Sequence, residues 1–241
     1  MKFFKIILYC VCAGVLHGYD PPGSLHFNIY YGQTTQLYGE SLQEFEQFIK
    51  NAYEDMDIPL EIVQSFPSSV MLRYELTRSF GKLQLGLFYA NSATGGRLHY
   101  ADYSGSATVD HIMDNNYFGI NIQHCLIQGT HVSVVQSNQL GMLRSSYETT
   151  EKIKIWDAET SDHNSFESTA YFIEPGLEIN FVLLKYINIG AYLGPKLFIY
   201  ALPYHLPDNK DAKLTSGYNK YVKPDWIEAN VALKIGFSLG K

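Results

Sequence analysis

The sequence predicts an all-β protein: an eight-stranded antiparallel up-and-down transmembrane β-barrel, with three short turns at one end and four long loops at the other. Three observations carry this. Between Thr169 and Ala201 two successive segments alternate apolar and polar residues so regularly that every side chain can be assigned to a face. The alternating row is longer than a soluble strand of about five or six residues and suits a strand tilted across a bilayer, which takes roughly 9–11. The same alternation recurs along the chain, and the connections between its segments are short and long in turn.

The hairpin fixes the faces. Thr169, Tyr171, Ile173, Pro175, Leu177, Ile179, Phe181 and Leu183 form the outward row, with Glu174, Gly176, Glu178 and Asn180 between them. After Leu184 and Lys185 the row resumes as Ile187, Ile189, Ala191, Leu193, Pro195, Leu197 and Ile199, against Asn188, Gly190, Tyr192, Gly194, Lys196 and Tyr200. Directly opposed residues of an antiparallel pair share a face, so the turn must contain an odd number of residues. Placing Leu183 opposite Ile187 sets Asn180 opposite Gly190, Glu178 opposite Tyr192 and Glu174 opposite Lys196. The register predicts an inward Glu174–Lys196 salt bridge. It also predicts that Pro175 and Pro195 meet on the lipid face, where neither needs to donate to the other.

Lys2 and Lys5 precede an apolar run from Ile6 to Val15, which reads as a signal peptide over residues 1–18; residues 19–241 then form one barrel domain. Cys10 and Cys12 leave with that segment, so Cys125 has no partner for an intramolecular disulfide. The first barrel strand carries Leu25, Phe27, Ile29 and Tyr31 outward, and the second Val70, Leu72, Tyr74 and Leu76 against Met71, Arg73, Glu75 and Thr77. Leu83, Leu85, Leu87 and Tyr89 follow, then Phe118, Ile120, Ile122 and Leu126, interrupted by His124. The fifth strand, from Val132, is the least regular, because Gln136 and Asn138 fall on the outward row and imply a bulge or register change there. The last strand sets Ile227, Ala229, Val231, Leu233, Ile235, Phe237 and Leu239 against Glu228, Asn230, Lys234, Gly236 and Ser238.

Short turns fall at 79–82, 128–130 and 184–186, and long loops at about 39–67, 92–115, 148–167 and 202–225. Two aromatic girdles follow: Tyr31, Tyr89, Tyr117, Tyr171, Tyr200 and Trp226 at the long-loop end, and Phe80, Phe181, Tyr186 and Phe237 at the short-turn end. In the first loop Ser41 and Glu44 predict a capping box, and Leu42, Phe45, Phe48, Ile49, Ala52 and Tyr53 recur at helical spacing, so an amphipathic helix covers the barrel mouth or docks a partner.

On these segments the chain resembles the small, eight-stranded outer-membrane β-barrel family of Gram-negative bacteria, in particular its generic barrel-domain members of unassigned function. The terminal run Leu233-Lys234-Ile235-Gly236-Phe237-Ser238-Leu239 is similar to that family's C-terminal assembly signal, with Lys234, Gly236, Phe237 and Leu239 as its markers, although Gly240 and Lys241 follow where many members end on an aromatic residue. The resemblance implies an outer-membrane location, insertion by the barrel-assembly machinery, contact with outer-membrane lipid, and surface loops able to bind an extracellular partner.

Composition excludes other classes. The net charge of −6 argues against a nucleic-acid partner, and no run of eighteen apolar residues follows the leader. A lipocalin-like carrier would turn the apolar rows inward and leave Glu174, Glu178 and Lys196 in solvent. The inward positions Arg73, Glu75, Glu174, Glu178, Lys196, Glu228 and Lys234 form a lumen charge network of three cations and four anions. Eight strands enclose an interior just wide enough for side chains, so these charges pair and plug the barrel. The inward glycines Gly86, Gly119, Gly176, Gly190, Gly194 and Gly236 make room for bulky neighbours such as Tyr192 and Phe88. No cofactor or metal is expected: His99, Asp102, Asp110, His111 and Asp114 fit no compact ligand spacing, and Asp208, Asn209 and Asp211 lack the glycine and distal Glu of a calcium loop. The reading is non-enzymatic anchoring of surface loops, for envelope stability or partner binding. The alternative is a barrel-embedded lipid hydrolase, similar to lipid A deacylases, using His131 and Ser133.

Overall fold

The computed structural model describes residues 23–37, 39–184, 186–217 and 220–239; residues 1–18, where a signal peptide is expected, and the terminal Gly240 and Lys241 lie outside them. In chain order the elements are β1 (Leu25–Leu37), α1 (Glu40–Glu54), β2 (Glu61–Gln64), β3 (Ser69–Phe80), β4 (Leu83–Ala101), β5 (Gly105–Gln128), β6 (Val132–Ile155), β7 (Ala158–Leu184), β8 (Ile187–Ala201), β9 (His205–Leu206), β10 (Asn209–Lys213) and β11 (Ile227–Leu239). Eight of the strands close a ring. β1 pairs with β3, each of β3 to β7 with the next in order, β8 with β11, and β11 with β1, all antiparallel. Closure leaves no free edge within the ring, the condition for a sheet to cross a membrane.

The two faces of the wall differ as the alternation requires. Leu87, Leu193, Val231 and Leu233 are exposed outward, whereas Arg73, Glu75, Glu174 and Glu178 on the neighbouring inward positions are buried. At the lower, short-turn end the β3–β4 turn is tight because Gly81 takes φ +66°, a left-handed conformation that glycine adopts without strain. Phe80, Phe181, Tyr186 and Phe237 are exposed there, and Tyr31, Tyr89, Tyr171 and Tyr200 at the upper end. Tyr117 and Trp226 are not in the girdle: both are buried in the lumen, where the hydroxyl and the indole N–H donate to Glu228. A buried carboxylate needs such donors more than the interface needs two more rings.

Three expectations about strand register change. The irregularity sits in β5, between Cys125 and Ile127, while β6 pairs with β7 without a shift; Gln136 and Asn138 simply face outward or sit half-buried in a regular strand. In the β7–β8 hairpin Asn180↔Gly190 and Glu178↔Tyr192 pair as predicted, but a shift near the turn sets Leu184, not Leu183, opposite Ile187. Pairing is interrupted between Ile173↔Leu197 and Leu177↔Leu193, so Pro175 and Pro195 meet at a bonding site of the ladder, and the lost N–H groups break it there.

The largest change concerns the long connections. Residues 92–115 and 148–167 are not loops but the upper parts of the β4–β5 and β6–β7 hairpins, with registers unbroken to their tips. β4 to β7 run 19, 24, 24 and 27 residues, against 13, 12, 15 and 13 for β1, β3, β8 and β11. The rim is therefore lopsided, with a tall four-stranded wall on one side. α1 lies against the concave side of this wall and buries Leu42, Phe45, Ile49 and Tyr53. Its N-terminus is not a capping box. Gly39 is the N-cap with no side-chain cap bond, Ser41 Oγ instead lies 2.9 Å from both the Lys223 carbonyl and Asp225 Oδ1, and Glu44 pairs with Lys220. Tyr204, Val222 and Trp226, from the segment returning to β11, complete one apolar core with α1 and the wall. This cap closes the barrel mouth.

Candidate functional site

All seven predicted lumen charges are buried and face inward, in two groups. The upper group centres on Lys196, whose Nζ lies 2.8 Å from Glu228 Oε2, 3.6 Å from Glu174 Oε2 and 3.5 Å above the Tyr117 ring. Arg73 is sandwiched between Tyr30 and Tyr192, its guanidinium carbon 3.6 and 4.3 Å from their centroids, and reaches Glu174 Oε1 at 3.8 Å. Tyr192 donates to the same Glu174 oxygen at 2.7 Å. The ring fits because Gly176 and Gly194 lie beneath it, where a Cβ would come within 2.5 and 2.4 Å of the Tyr192 hydroxyl. Gly141, not singled out in the sequence, does the same for Phe172.

The lower group pairs Lys234 with Glu178, which also accepts from Asn180 at 2.7 Å and lies 2.8 Å from the Tyr30 hydroxyl. Glu75 is held differently. No Lys or Arg bridges it among the described residues; it accepts instead from Asn28 and Gln123, both at 3.0 Å, and from Asn121. Glu174 and Lys196 point to the same side of the wall and form the predicted ion pair. Of the residues expected to mark an assembly signal, Lys234 and Gly236 face the lumen, while Phe237 and Leu239 are exposed on the apolar belt.

The lumen is graded along its axis. Tyr117, Phe172, Phe198 and Trp226 pack edge to face above the charges, with successive centroids 5.8, 6.0 and 5.6 Å apart. Below the charges a polar cavity of about 240 Å³ opens at the short-turn end, lined in part by Asn28, Gln123, Asn180 and Asn188. The barrel is thus blocked at the cap and at the charged groups and opens into a cavity beneath them.

Other candidates separate in space. His131 is exposed beside the lower turn and Ser133 is half-buried on the wall of that cavity; no hydrogen bond joins them among the described residues. Asp110 is paired with Arg97, Asp102 holds the backbone of Ser104 and Gly105 in the β4–β5 turn, and His99 bonds Thr108. Asp114 is exposed on the outer face, and Asn209 accepts from the Asp211 amide at 3.1 Å. Among the described residues no cluster of three or more His, Cys, Asp or Glu side chains could hold a metal.

His111 has a place that spacing did not reveal. It is buried beneath α1, 2.7 Å from the Tyr147 hydroxyl and stacked on the Tyr147 ring. Burial pushes its imidazole down to about 4, partly opposed by the charge of Asp110. Glu46, on the buried side of α1, accepts from Ser65 at 2.6 Å, and burial raises its carboxyl. The signal was available: His111 and Tyr147 keep the inward parity of Tyr117 and Leu143 on their own strands.

No family model matches the chain, and no curated protein matches it by sequence. Solved structures similar to it include Neisserial surface protein A, at 7% identity and TM-score 0.44 over 92% of this chain and 100% of that one. The attachment invasion locus protein Ail of Yersinia pestis follows at 10% and 0.41 over 90% and 99%, and the outer membrane protease OmpT of Escherichia coli at 7% and 0.43 over 93% and 99%. Likeness at this level carries nothing about activity. What stands on the chain's own strand pairs and exposed apolar rows is the architecture of a closed eight-stranded antiparallel β-barrel with an apolar outer belt.

Proposed function

We propose that the protein is an integral outer-membrane barrel that works as an anchor: a closed, plugged cylinder holding a rigid extracellular wall and its cap, for envelope stability or for binding an extracellular partner. The observation that supports this reading is the polarity of the wall, apolar outside and charged, paired and blocked inside. Insertion by the barrel-assembly machinery and contact with outer-membrane lipid are part of the proposal, and the cap end then faces outward. The hydrolase alternative gains nothing from the geometry, since His131 and Ser133 lie at the short-turn end, away from the outer leaflet. Fractionation with heat-modifiable gel mobility tests the location: a monodisperse protein in detergent-free buffer refutes it. Planar-bilayer recordings test the plug, for which no stable conductance of porin size is expected. Release of acyl chains from lipid by the purified protein, lost in Ser133→Ala, would replace anchoring by catalysis.

A further inference from the structure

The lower lumen is the place where the barrel's own groups fail to balance, in two independent ways. The first is hydrogen bonding. Asn28 and Asn180 are 1% and 7% exposed, and each gives its amide nitrogen to a carboxylate, Asn28 to Glu75 at 3.0 Å and Asn180 to Glu178 at 2.7 Å. Those bonds fix which way the amides point. Their carbonyl oxygens are left without a hydrogen-bond partner among the described residues, as is Asn188 Oδ1, on the wall of the open cavity. Unmet buried acceptors of this kind are costly.

The arrangement follows from one row of the ladder. Asn28, Gly236 and Asn188 are direct neighbours across β1, β11 and β8. Because Gly236 has no side chain, both asparagines lean over it, and a Cβ there would lie 2.4 Å from each of the two carbonyl oxygens. One row away Asn180 leans over Gly190 in the same manner, at 2.5 Å. Each lying 2.4 Å from where a Cβ of Gly236 would be, the carbonyl oxygens of Asn28 and Asn188 are at most about 4.8 Å apart, a span that one hard cation with oxygen ligands at about 2.4 Å can bridge.

The second imbalance is charge. The lumen holds three cations against four anions, and of the four Glu75 is the one with no Lys or Arg at ion-pair distance among the described residues. Glu75 accepts instead from the amide N–H groups of Asn28, Asn121 and Gln123. Water would satisfy the carbonyl oxygens but leave one buried negative charge uncompensated.

We propose that the lower lumen is a binding site for one hard monovalent cation, sodium or potassium, held by the carbonyl oxygens of Asn28, Asn188 and Asn180 and entering from the open short-turn end. Glu75 acts through Asn28, whose amide nitrogen it holds while the carbonyl faces the ion. Carbonyl and water oxygens select hard cations over soft ones, and the deficit of one charge selects a single positive charge.

The test uses the full-length protein refolded in detergent, unfolded by urea in sodium, potassium or choline chloride at constant ionic strength. Alkali ions should raise the folded-to-unfolded ratio over choline in a saturable way, about tenfold at ten times the dissociation constant. The gain should vanish in Asn188→Leu. In Asn188→Asp, which keeps the row polar should the leucine variant fail to fold, saturation should come at lower salt. Crystals soaked in thallium should show an anomalous peak between Asn28 and Asn188. Equal stability in alkali and choline salts, a gain that survives in Asn188→Leu, or water alone at the site would each overturn the proposal.

Discussion

The same strands build two interiors of opposite polarity. Within the belt, the inward positions of β5 include Asn121 and Gln123, and the outward ones Phe118, Ile120 and Ile122; higher up, the inward positions are Met113, Val109 and Ala107, and Asp114, Asp110 and Thr108 face out. β7 does likewise, from inward Glu178 and Glu174 to inward Phe172, Ala170 and Phe166. Above the irregularity at Cys125 the period of two holds along β5, as it does along β7 over these positions; only its sign reverses. A strand leaving lipid for water must exchange the chemistry of its faces, so the crossing point marks the membrane surface. The lower interior is held by charge and hydrogen bond, the upper one by apolar packing, and the two should fail for different reasons.

The largest effect is expected in the lower interior. Lys196→Met leaves Glu174 and Glu228 buried with one cation between them, and removing one partner of a buried ion pair costs about 3–5 kcal/mol. Urea titration of the refolded protein should show this as a global loss. A Lys196→Met variant as stable as the parent would show that the upper charges do not hold the barrel.

Leu42→Ala acts on the other interior. It opens a cavity in the cap core and should cost about 2–5 kcal/mol of α1 docking while leaving the barrel folded. Protease cleavage within α1 should accelerate with heat-modifiable mobility unchanged. Loss of both together would mean that cap and barrel are one cooperative unit.

The cap should also respond to pH. The docked imidazole of His111 is pushed down to about 4 from an undocked value near 6.5. Its contribution to docking is therefore complete above 6.5 and declines as pH falls toward 4, by on the order of 2 kcal/mol between pH 7 and 5. The raised carboxyl of Glu46 acts in the opposite sense, favouring docking as it takes up its proton. α1 cleavage should be faster at pH 5 than at 7, and His111→Gln should flatten that difference. Cleavage independent of pH in the parent would place His111 outside the docking equilibrium.

The smallest effect lies in the seam between β7 and β8. Pro175→Val with Pro195→Val restores two N–H groups to the interrupted ladder and should stabilise the barrel by about 1 kcal/mol per bond formed. Hydrogen exchange along residues 173–177 should slow. Destabilisation would show that the gap is filled by something the valines displace.

The barrel was legible because lipid imposes one rule on every strand that crosses it, and Leu83 to Tyr89 or Ile227 to Leu239 obey it without exception. The Glu174–Lys196 pair was legible because parity and charge burial pointed to the same register. The cap was not, because a search for apolar-outward rows ends where the sign reverses, and polar residues such as Asp110 and Glu148 then resemble loop. Tyr117 and Trp226 went to the girdle on residue type alone, when the deciding fact was Glu228 beside them in three dimensions. Gly236 looked like space for a bulky neighbour, and only the fold shows that its neighbours are two amides.

The seam between the first and last strands has one more consequence. Ser41, four residues beyond the end of β1, is bonded to Lys223 and Asp225, just before β11 begins, so the cap is knotted together from the two ends of the barrel's own sequence. These partners are 182 and 184 residues apart along the chain. They can meet only when β1 has found β11, because until then α1 and the returning segment sit on opposite margins of an open sheet. The cap is thus a record of completion: a sheet that has not closed leaves the apolar side of α1 undocked, and a closed one shuts it away in the act of closing.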